Sequence, residues 1–297
     1  MCSVDNRECF TNMKKDLRQY QGDDRVVSSH EFIEALKNIP EPNTFSVNIP
    51  ALQRITGGFA EGETWVVTGP TGCGKTSLLQ NISNQFGEKD IRSLWFNFEV
   101  PDRQFIKKFN EPTPLFYLPL KRKNHDFEWL KERMVESMLK YQVKVIFIDH
   151  LHYLFDLVQS KNVSLEIGAL VRKLKTFCNL TGAVIFLVSH MAKVGNVTAD
   201  WEPHHDDIRD SQLTSGEVDG VIAIWRKPNE EGKGRNRKSY RDLNETDNLA
   251  TIKVTKNRRT GIQGKFDVVF ENGVFIEIDK KVEQDIDRGI NPEDIFK

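Results

Sequence analysis

Apolar residues along this chain fall into short unbroken runs that alternate with longer segments in which they recur at helical spacing. Thr64-Trp65-Val66-Val67-Thr68 is apolar and β-branched enough for a strand buried on both faces, and Ser77-Leu78-Leu79-Gln80-Asn81-Ile82 after it has a helical period. The same alternation predicts strands over 64–68, 93–98, 145–149, 183–189, 220–225 and 250–255. Helices are predicted over 75–86, 102–109, 126–141 and 164–180, the last with Leu165, Ala169, Arg172 and Leu174 beside Phe177 and Cys178. Strands and helices in alternation imply an α/β fold, a mainly parallel sheet with helices on both faces. Two further runs, 266–270 and 274–278, flank Glu271-Asn272-Gly273. Asn-Gly is a strong signal for a tight hairpin, so the sheet is expected to end in an antiparallel β-hairpin.

The periodicity fades at both ends. Residues 1–27 are polar and charged, and Ser28 or Ser29 can then cap a short helix carrying Phe32, Ile33 and Leu36 on one face, stopped by Pro40 and Pro42. That apolar stripe has to pack on its own core or on a neighbouring subunit. The expected organisation is an N-terminal extension with a linker-like helix over 1–44, one large domain over 45–279 and a charged tail over 280–297.

Composition narrows the class mainly by exclusion. In 297 residues, 42 lysines and arginines face 43 acids, so no global basic signature marks a nucleic-acid binder and any polyanion contact must come from local patches. The four cysteines, Cys2, Cys9, Cys73 and Cys178, form no Cys-x-x-Cys pair, which argues against a zinc module or a disulfide framework and for a reducing compartment. No apolar run approaches the roughly 20 residues that span a bilayer. The N-terminus, with Asp5, Arg7 and Glu8, does not resemble a signal peptide. A soluble intracellular protein without a membrane partner is expected.

The chemistry is concentrated at strand ends. Gly69-Pro70-Thr71-Gly72-Cys73-Gly74-Lys75-Thr76 fits the phosphate-binding loop and lies between a predicted strand and a predicted helix, the context that such a loop requires. Its backbone N–H groups and the helix N-terminus favour phosphate, Lys75 can reach the β and γ oxygens, and the Thr76 hydroxyl suits Mg²⁺. Val145-Ile146-Phe147-Ile148-Asp149 is four apolar residues followed by an acid, the form expected of a second nucleotide motif whose carboxylate holds the Mg²⁺ shell. Glu99, at the end of Leu94-Trp95-Phe96-Asn97-Phe98-Glu99, can orient the water that attacks the γ-phosphate. A GTPase would need a base-reading acid, and Thr255-Lys256-Asn257 does not supply one.

His190 ends the apolar run 183–188 after Ser189 and can hydrogen-bond the γ-phosphate and report its loss to the following loop. That loop, 191–215, mixes Lys193, Trp201, His204, His205 and Arg209, a combination that can face a single-stranded nucleic acid. Adjacent His204 and His205 with no cysteine nearby make a poor zinc pair. Lys253-Val254-Thr255-Lys256-Asn257-Arg258-Arg259-Thr260-Gly261 places a basic cluster at a strand end pointing away from its own nucleotide site, where Arg258 can act as an arginine finger for an adjacent subunit. A second basic run at 233–241 reads as an exposed loop.

Together the loop at 69–76, Glu99 in Phe-Glu-Val-Pro, Asp149-His150-Leu151-His152, Ser189-His190 and Lys256-Asn257-Arg258 resemble the motor domain of the DnaB-type hexameric replicative helicases, nearest the Twinkle and phage primase-helicase branch. The resemblance spans residues 45–278. It implies a RecA-like core, a hexameric ring built from copies of the chain, ATP and Mg²⁺ as cofactors at subunit interfaces, and movement on single-stranded DNA, with a primase, polymerase or loader as further partners. By the same resemblance Lys75 and Thr76 are the phosphate and Mg²⁺ residues, Glu99 the catalytic carboxylate, Asp149 the second Mg²⁺ residue, His190 the γ-phosphate sensor, and Arg258 the finger offered in trans with Lys256 beside it. Only about 45 residues precede the motor, where the family usually carries a collar or primase domain. Two other classes share these residues: a RecA- or Sms-like recombination ATPase, in whose motif Arg259 stands where Phe belongs, and a RecA-like switch that changes assembly state without moving on DNA.

Overall fold

The computed structural model describes residues 20–109, 112–123, 126–154, 163–191, 202, 216–226 and 248–278. The basic run at 233–241, Cys2, Cys9, the tail 280–297 and Lys193, Trp201, His204, His205 and Arg209 lie outside the described residues. The chain divides into two compact units, Met1–Glu41 and Pro42–Lys297.

In the first unit Ser28 Oγ accepts the Glu31 N–H at 3.1 Å and starts helix α1, Ser29–Leu36. None of its residues is buried, and Phe32, Ile33 and Leu36 are all about half exposed. The helical stripe expected from the sequence is therefore present, presented to solvent.

The second unit opens with strand β1, Thr44–Phe45, helix α2, Pro50–Thr56, and strand β2, Phe59–Ala60, which pairs antiparallel with β1. Strand β3, Thr64–Gly69, leads into helix α3, Lys75–Gly87. Then follow β4, Ser93–Asn97, α4, Asp102–Ile106, β5, Phe116–Tyr117, α5, Phe127–Tyr141, β6, Val145–Asp149, a 3-10 turn, Leu151–Leu154, and α6, Val163–Thr181. Strands β7, Val184–His190, β8, Gly220–Trp225, β9, Leu249–Asn257, β10, Gly264–Glu271, and β11, Val274–Glu277, complete the unit. Among the described residues one nine-stranded sheet runs β11-β10-β9-β8-β3-β7-β6-β4-β5, parallel from β8 to β5 and antiparallel from β8 to β11.

The period-2 alternation of each central strand assigns its residues to two cores. Trp65 and Val67 of β3, Trp95 of β4, Val145 and Phe147 of β6, and Val184, Phe186 and Val188 of β7 face Leu78, Leu79, Ile82 and Phe86 of α3. Val66, Phe96, Ile146, Ile148, Ile185 and Leu187 face Trp129, Leu130 and Met134 of α5 and Ile167, Leu170, Val171, Leu174, Phe177 and Cys178 of α6. Both faces are thus covered, as parallel strands without a polar face require. On α6 the buried stripe differs from the expected one: Leu165 and Ala169 are exposed, and Ile167, Leu170 and Val171 take the sheet. Arg172 is exposed and pairs with Glu217 at 2.9 Å.

The hairpin forms as the Asn-Gly signal predicts. Glu271 pairs with Val274 across a two-residue turn in which Asn272 and Gly273 both have positive φ, the geometry that matches strand twist. Boundaries move by a few residues: β4 stops at Asn97, α4 at Ile106, and β9 extends to Leu249–Asn257. The two-residue strands β1, β2 and β5 and the short α2 carry too little periodic signal to be read in advance. No helix among the described residues is long and apolar enough to cross a membrane.

Candidate functional site

Parity decides which side chains meet at the C-terminal ends of the parallel strands. Asp149 follows Phe147 on β6, His190 follows Val188 on β7, and Asn97 follows Trp95 on β4, so all three are in phase with the face on which α3 lies. Strand order then sets the sequence across the sheet: β7 is between β3 and β6, and the register places Gly69 opposite His190 and Asn97 opposite Asp149. The loop that joins β3 to α3 opens onto this row, in the crevice where open α/β sheets bind ligands.

The loop's shape follows from its residues. Gly69 has φ +152, and a Cβ there would lie 2.0 Å from the Ile224 carbonyl oxygen, so only glycine lets β3 turn so close to β8. Thr71 and Gly72 are exposed at the tip, and Pro70 and Gly74 are half-buried. Cys73 turns inward, 1% exposed, and burial raises its thiol pKa; only its backbone is presented to a ligand. Helix α3 begins at Lys75 with Gly74 as N-cap, no side-chain cap and no acid in its first turn. Its leading N–H groups and positive end are therefore directed into the loop, an arrangement that favours anions. Lys75 is 6% exposed, and its Nζ donates to the Gly69 and Pro70 carbonyls at 3.0 and 2.9 Å. A buried ammonium held by two neutral acceptors is placed to take phosphate oxygens in their stead.

Thr76 Oγ1 donates to Asp149 Oδ2 at 2.8 Å. Asp149 is fully buried, and its Oδ1 has no hydrogen-bond partner among the described residues. Burial is the main cause that raises its pKa to about 6; Glu99 adds to the rise, while the Thr76 hydrogen bond, Lys75 and Lys108 oppose it. An orphaned carboxylate oxygen beside a hydroxyl is a set of hard oxygen donors that fits a divalent cation such as Mg²⁺.

Glu99 lies two residues past β4 and is exposed. Its loop is braced from within: Asn97 Nδ2 donates to the Val100 carbonyl at 2.8 Å, and Asn97 Oδ1 accepts the Val100 N–H at 3.3 Å. Arg122 adds a clamp, donating to the Asn97 carbonyl and pairing with Asp102 at 3.2 Å. Sequence reasoning missed Arg122, which belongs to no motif and is brought to the loop only by the pairing of β4 with β5. His190 is half-buried and faces His150 edge-on, ring centroids 4.2 Å apart.

The basic cluster separates into different roles. Arg259 binds its own chain: its Nε donates to Glu63 Oε1 at 2.7 Å, and its guanidinium also donates to the Thr56 and Gly58 carbonyls at 2.9 and 2.7 Å. Arg258 is half exposed, donates to the Gly216 carbonyl at 2.9 Å and lies 3.6 Å from Asp219. Lys256 is beside it, its pKa lowered by burial first and then by the Arg258 charge. Asp219, also missed in the sequence, ties this end together: its Oδ2 accepts the Thr64 N–H at 2.8 Å and the Lys175 ammonium at 2.6 Å. Asn257 pairs with Gly220, which pairs with Trp65 at the start of β3. Four residues of β3 then separate this level from Gly69, about 13 Å along the strand. Lys75, Thr76, Asp149, His190 and Glu99 are thus gathered at one end of the sheet, and Lys256 and Arg258 at the other.

A family model described as the DnaB-like helicase C terminal domain matches residues 120–276, and an AAA domain model matches residues 38–196. The replicative DNA helicase DnaB of Mycoplasma pneumoniae is 21% identical over 260 residues, covering 75% of this chain and 54% of its own length. The chain therefore spans about half the length of that curated relative. Among solved structures, the ATPase domain of G40P superposes with a TM-score of 0.64 at 15% identity over 84% of this chain and 96% of that one. A DnaB-like replicative helicase described with its interactions with primase superposes with a TM-score of 0.63 at 16% identity, over 91% and 71%. The superpositions establish the RecA-like fold of the expected core. The matches speak for the DnaB-like group as a whole and do not single out its Twinkle and phage branch.

Proposed function

This chain belongs to the DnaB-like helicase C-terminal domain family, and on that premise we propose that it is an ATP-driven motor that assembles into a ring and moves along single-stranded DNA. One observation carries the reading. Lys75 and Arg258 are at opposite ends of one sheet, so an arginine finger at 258 can serve only a nucleotide held by a neighbouring copy. A motor with its site divided in this way hydrolyses nucleotide only as an assembly, and a closed ring of copies, six in the family pattern, gives every site a finger.

In the mechanism, the 69–76 loop and the α3 N-terminus hold the phosphates, and Lys75 exchanges its two carbonyl partners for β and γ oxygens. A Mg²⁺ ion at Thr76 and Asp149 would neutralise the charge gathering on the phosphate oxygens. Glu99 orients and deprotonates the attacking water, kept on station by Asn97 and Arg122. His190, between the phosphate loop and Asp149 in strand order, reads the γ-phosphate and passes its loss to the segment after β7. Arg258 from the neighbour, with Lys256 as its companion, stabilises the transferring phosphoryl group. Helix α1, with its apolar face outward, is the element that docks on the adjacent copy. A primase, polymerase or loader is the class of protein beside which such a ring works.

The test is ATP-dependent unwinding of forked duplexes carrying a 5′ or a 3′ single-stranded tail, with Lys75→Ala as control. Unwinding that requires the 5′ tail supports the proposal. Hydrolysis stimulated by single strands without unwinding of either fork overturns it in favour of a recombination ATPase.

A further inference from the structure

Three neighbouring strand ends bring together donors that the motor reading leaves partly unused. Glu99 follows β4, His150 follows β6 and His190 ends β7, and one ligand atom from each lies within 4.8 Å of the other two. His150 is 6% exposed, yet none of the roles assigned above employs it. We propose that Glu99, His150 and His190 form a site for a divalent transition metal of the Zn²⁺ class, separate from the Thr76–Asp149 position, and that its occupation stops turnover by engaging Glu99.

The donor types decide which metal fits. Two imidazole nitrogens and one carboxylate oxygen form a set that Zn²⁺ accepts with a fourth position left for water, whereas Mg²⁺ prefers oxygen ligands and octahedral geometry. Bond lengths of about 2.0–2.2 Å put the donors of a tetrahedral ion roughly 3.3 Å apart, so the trio has to contract. His150 is buried just beyond β6 and His190 ends β7, so the two rings adjust only through their side-chain torsions. Glu99 is exposed on the loop beyond β4 and supplies the movement through its side-chain torsions. Part of the cost falls on His150, whose Nδ1 now accepts the His152 N–H over 3.3 Å, a long bond. Metallation at either ring nitrogen gives that bond up. Among the described residues a further imidazole, His152, has its ring 5.2 Å from that of His150 and 6.2 Å from that of His190.

The binding stands independently of the proposed function, while the effect on turnover rests on it, so the two are measured separately. The full chain, nucleotide-free, is titrated with Zn²⁺ against a chromophoric chelator and with Co²⁺, whose visible spectrum reports coordination. A single tight equivalent with a four- or five-coordinate Co²⁺ spectrum is expected. His150→Gln and His190→Ala, each with the wild-type melting profile, should weaken binding at least about 100-fold, and a His204→Ala, His205→Ala variant should bind as wild type does. No tight equivalent, or binding that survives both single variants or disappears with the His204 and His205 pair, overturns the site. In a second assay with Mg²⁺ in large excess, stoichiometric Zn²⁺ should stop hydrolysis by the wild type, chelator should restore it, and His150→Gln should be insensitive. Inhibition that persists in His150→Gln overturns the regulatory step. A chain that binds Zn²⁺ at the trio but hydrolyses no nucleotide in metal-buffered Mg²⁺ upholds the site and sinks the motor reading instead.

Discussion

Thr76 Oγ1 and Asp149 Oδ2, 73 residues apart in sequence, are 2.8 Å apart in space, while Asp149 Oδ1 is buried with no partner among the described residues. Half of the carboxylate is satisfied and half is held open. Such a group destabilises the ligand-free protein in exchange for a place where a cation can bind.

The energetic consequence can be read from Asp149→Asn. The folded-state pKa is raised to about 6 from 3.8, so the folded chain holds this proton more tightly than the unfolded chain. The stability due to the protonated form is fully present below pH 3.8 and is lost as pH rises through 6. The neutral amide escapes that loss. Urea titrations should find Asp149→Asn more stable than wild type at pH 7, by up to about 3 kcal/mol, with the difference shrinking toward pH 4. A difference independent of pH would mean that Asp149 is not the titrating group.

Lys75→Ala and Glu99→Gln should separate binding from turnover. Lys75 is buried against the loop carbonyls, and its removal should weaken nucleotide binding and abolish hydrolysis together. Glu99 is exposed beyond β4, and its amide should bind nucleotide normally while turnover falls about 10²- to 10⁴-fold. Equilibrium binding of a fluorescent nucleotide and single-turnover hydrolysis distinguish the two. A loss of binding in Glu99→Gln would remove Glu99 from the role of base.

Arg258 and Arg259 are neighbours with opposite expected phenotypes. Glu63 is 8% exposed at its side chain and takes a 2.7 Å bond from the one-third-exposed Arg259, so Arg259→Ala should cost about 1–3 kcal/mol in denaturant titration. Arg258→Ala should change stability little and abolish hydrolysis, and mixing it with Lys75→Ala should restore part of the activity. In a mixed ring an intact loop from one chain can face an intact finger from the other. Absence of rescue at every mixing ratio would exclude action in trans.

Phe32→Asp combined with Leu36→Asp should leave the second unit folded and abolish oligomers. Both side chains are about half exposed on α1, so the charges are introduced on a solvent-facing stripe and act where another copy covers the helix. Sedimentation velocity is the measurement, and a profile identical to wild type would refute docking through α1.

Much of the fold was legible because its signals are local. The apolar runs at 145–148 and 183–188, the helical spacing after Lys75 and the Asn272-Gly273 turn each depend on a few consecutive residues, and they specified strands, helices and hairpin without knowledge of partners. The glycine-rich loop at 69–76 and the strand-end positions of the acids at 99 and 149 were legible for the same reason: each motif is contiguous. On α6 the local pattern misled, because Leu165 and Ala169 also fall at helical spacing and only the position of the sheet selects Ile167, Leu170 and Val171.

What the sequence could determine, then, was which of the longer elements exist and which side chains sit at their ends. Tertiary structure alone decided how those ends are combined. Inserting β7 between β3 and β6 puts His190 against Gly69 and beside His150, and the packing of α3 over that face brings Thr76 to Asp149. The antiparallel return of β9 carries Arg258 to the far end of the sheet, where Asp219 links it to Lys175 and the first residue of β3. Strand order and direction are set by burial of both sheet faces and by contacts between segments more than 200 residues apart, as in the Arg259 contacts with Thr56 and Gly58. No local period encodes such contacts, because the free energy that selects them appears only when the whole core closes.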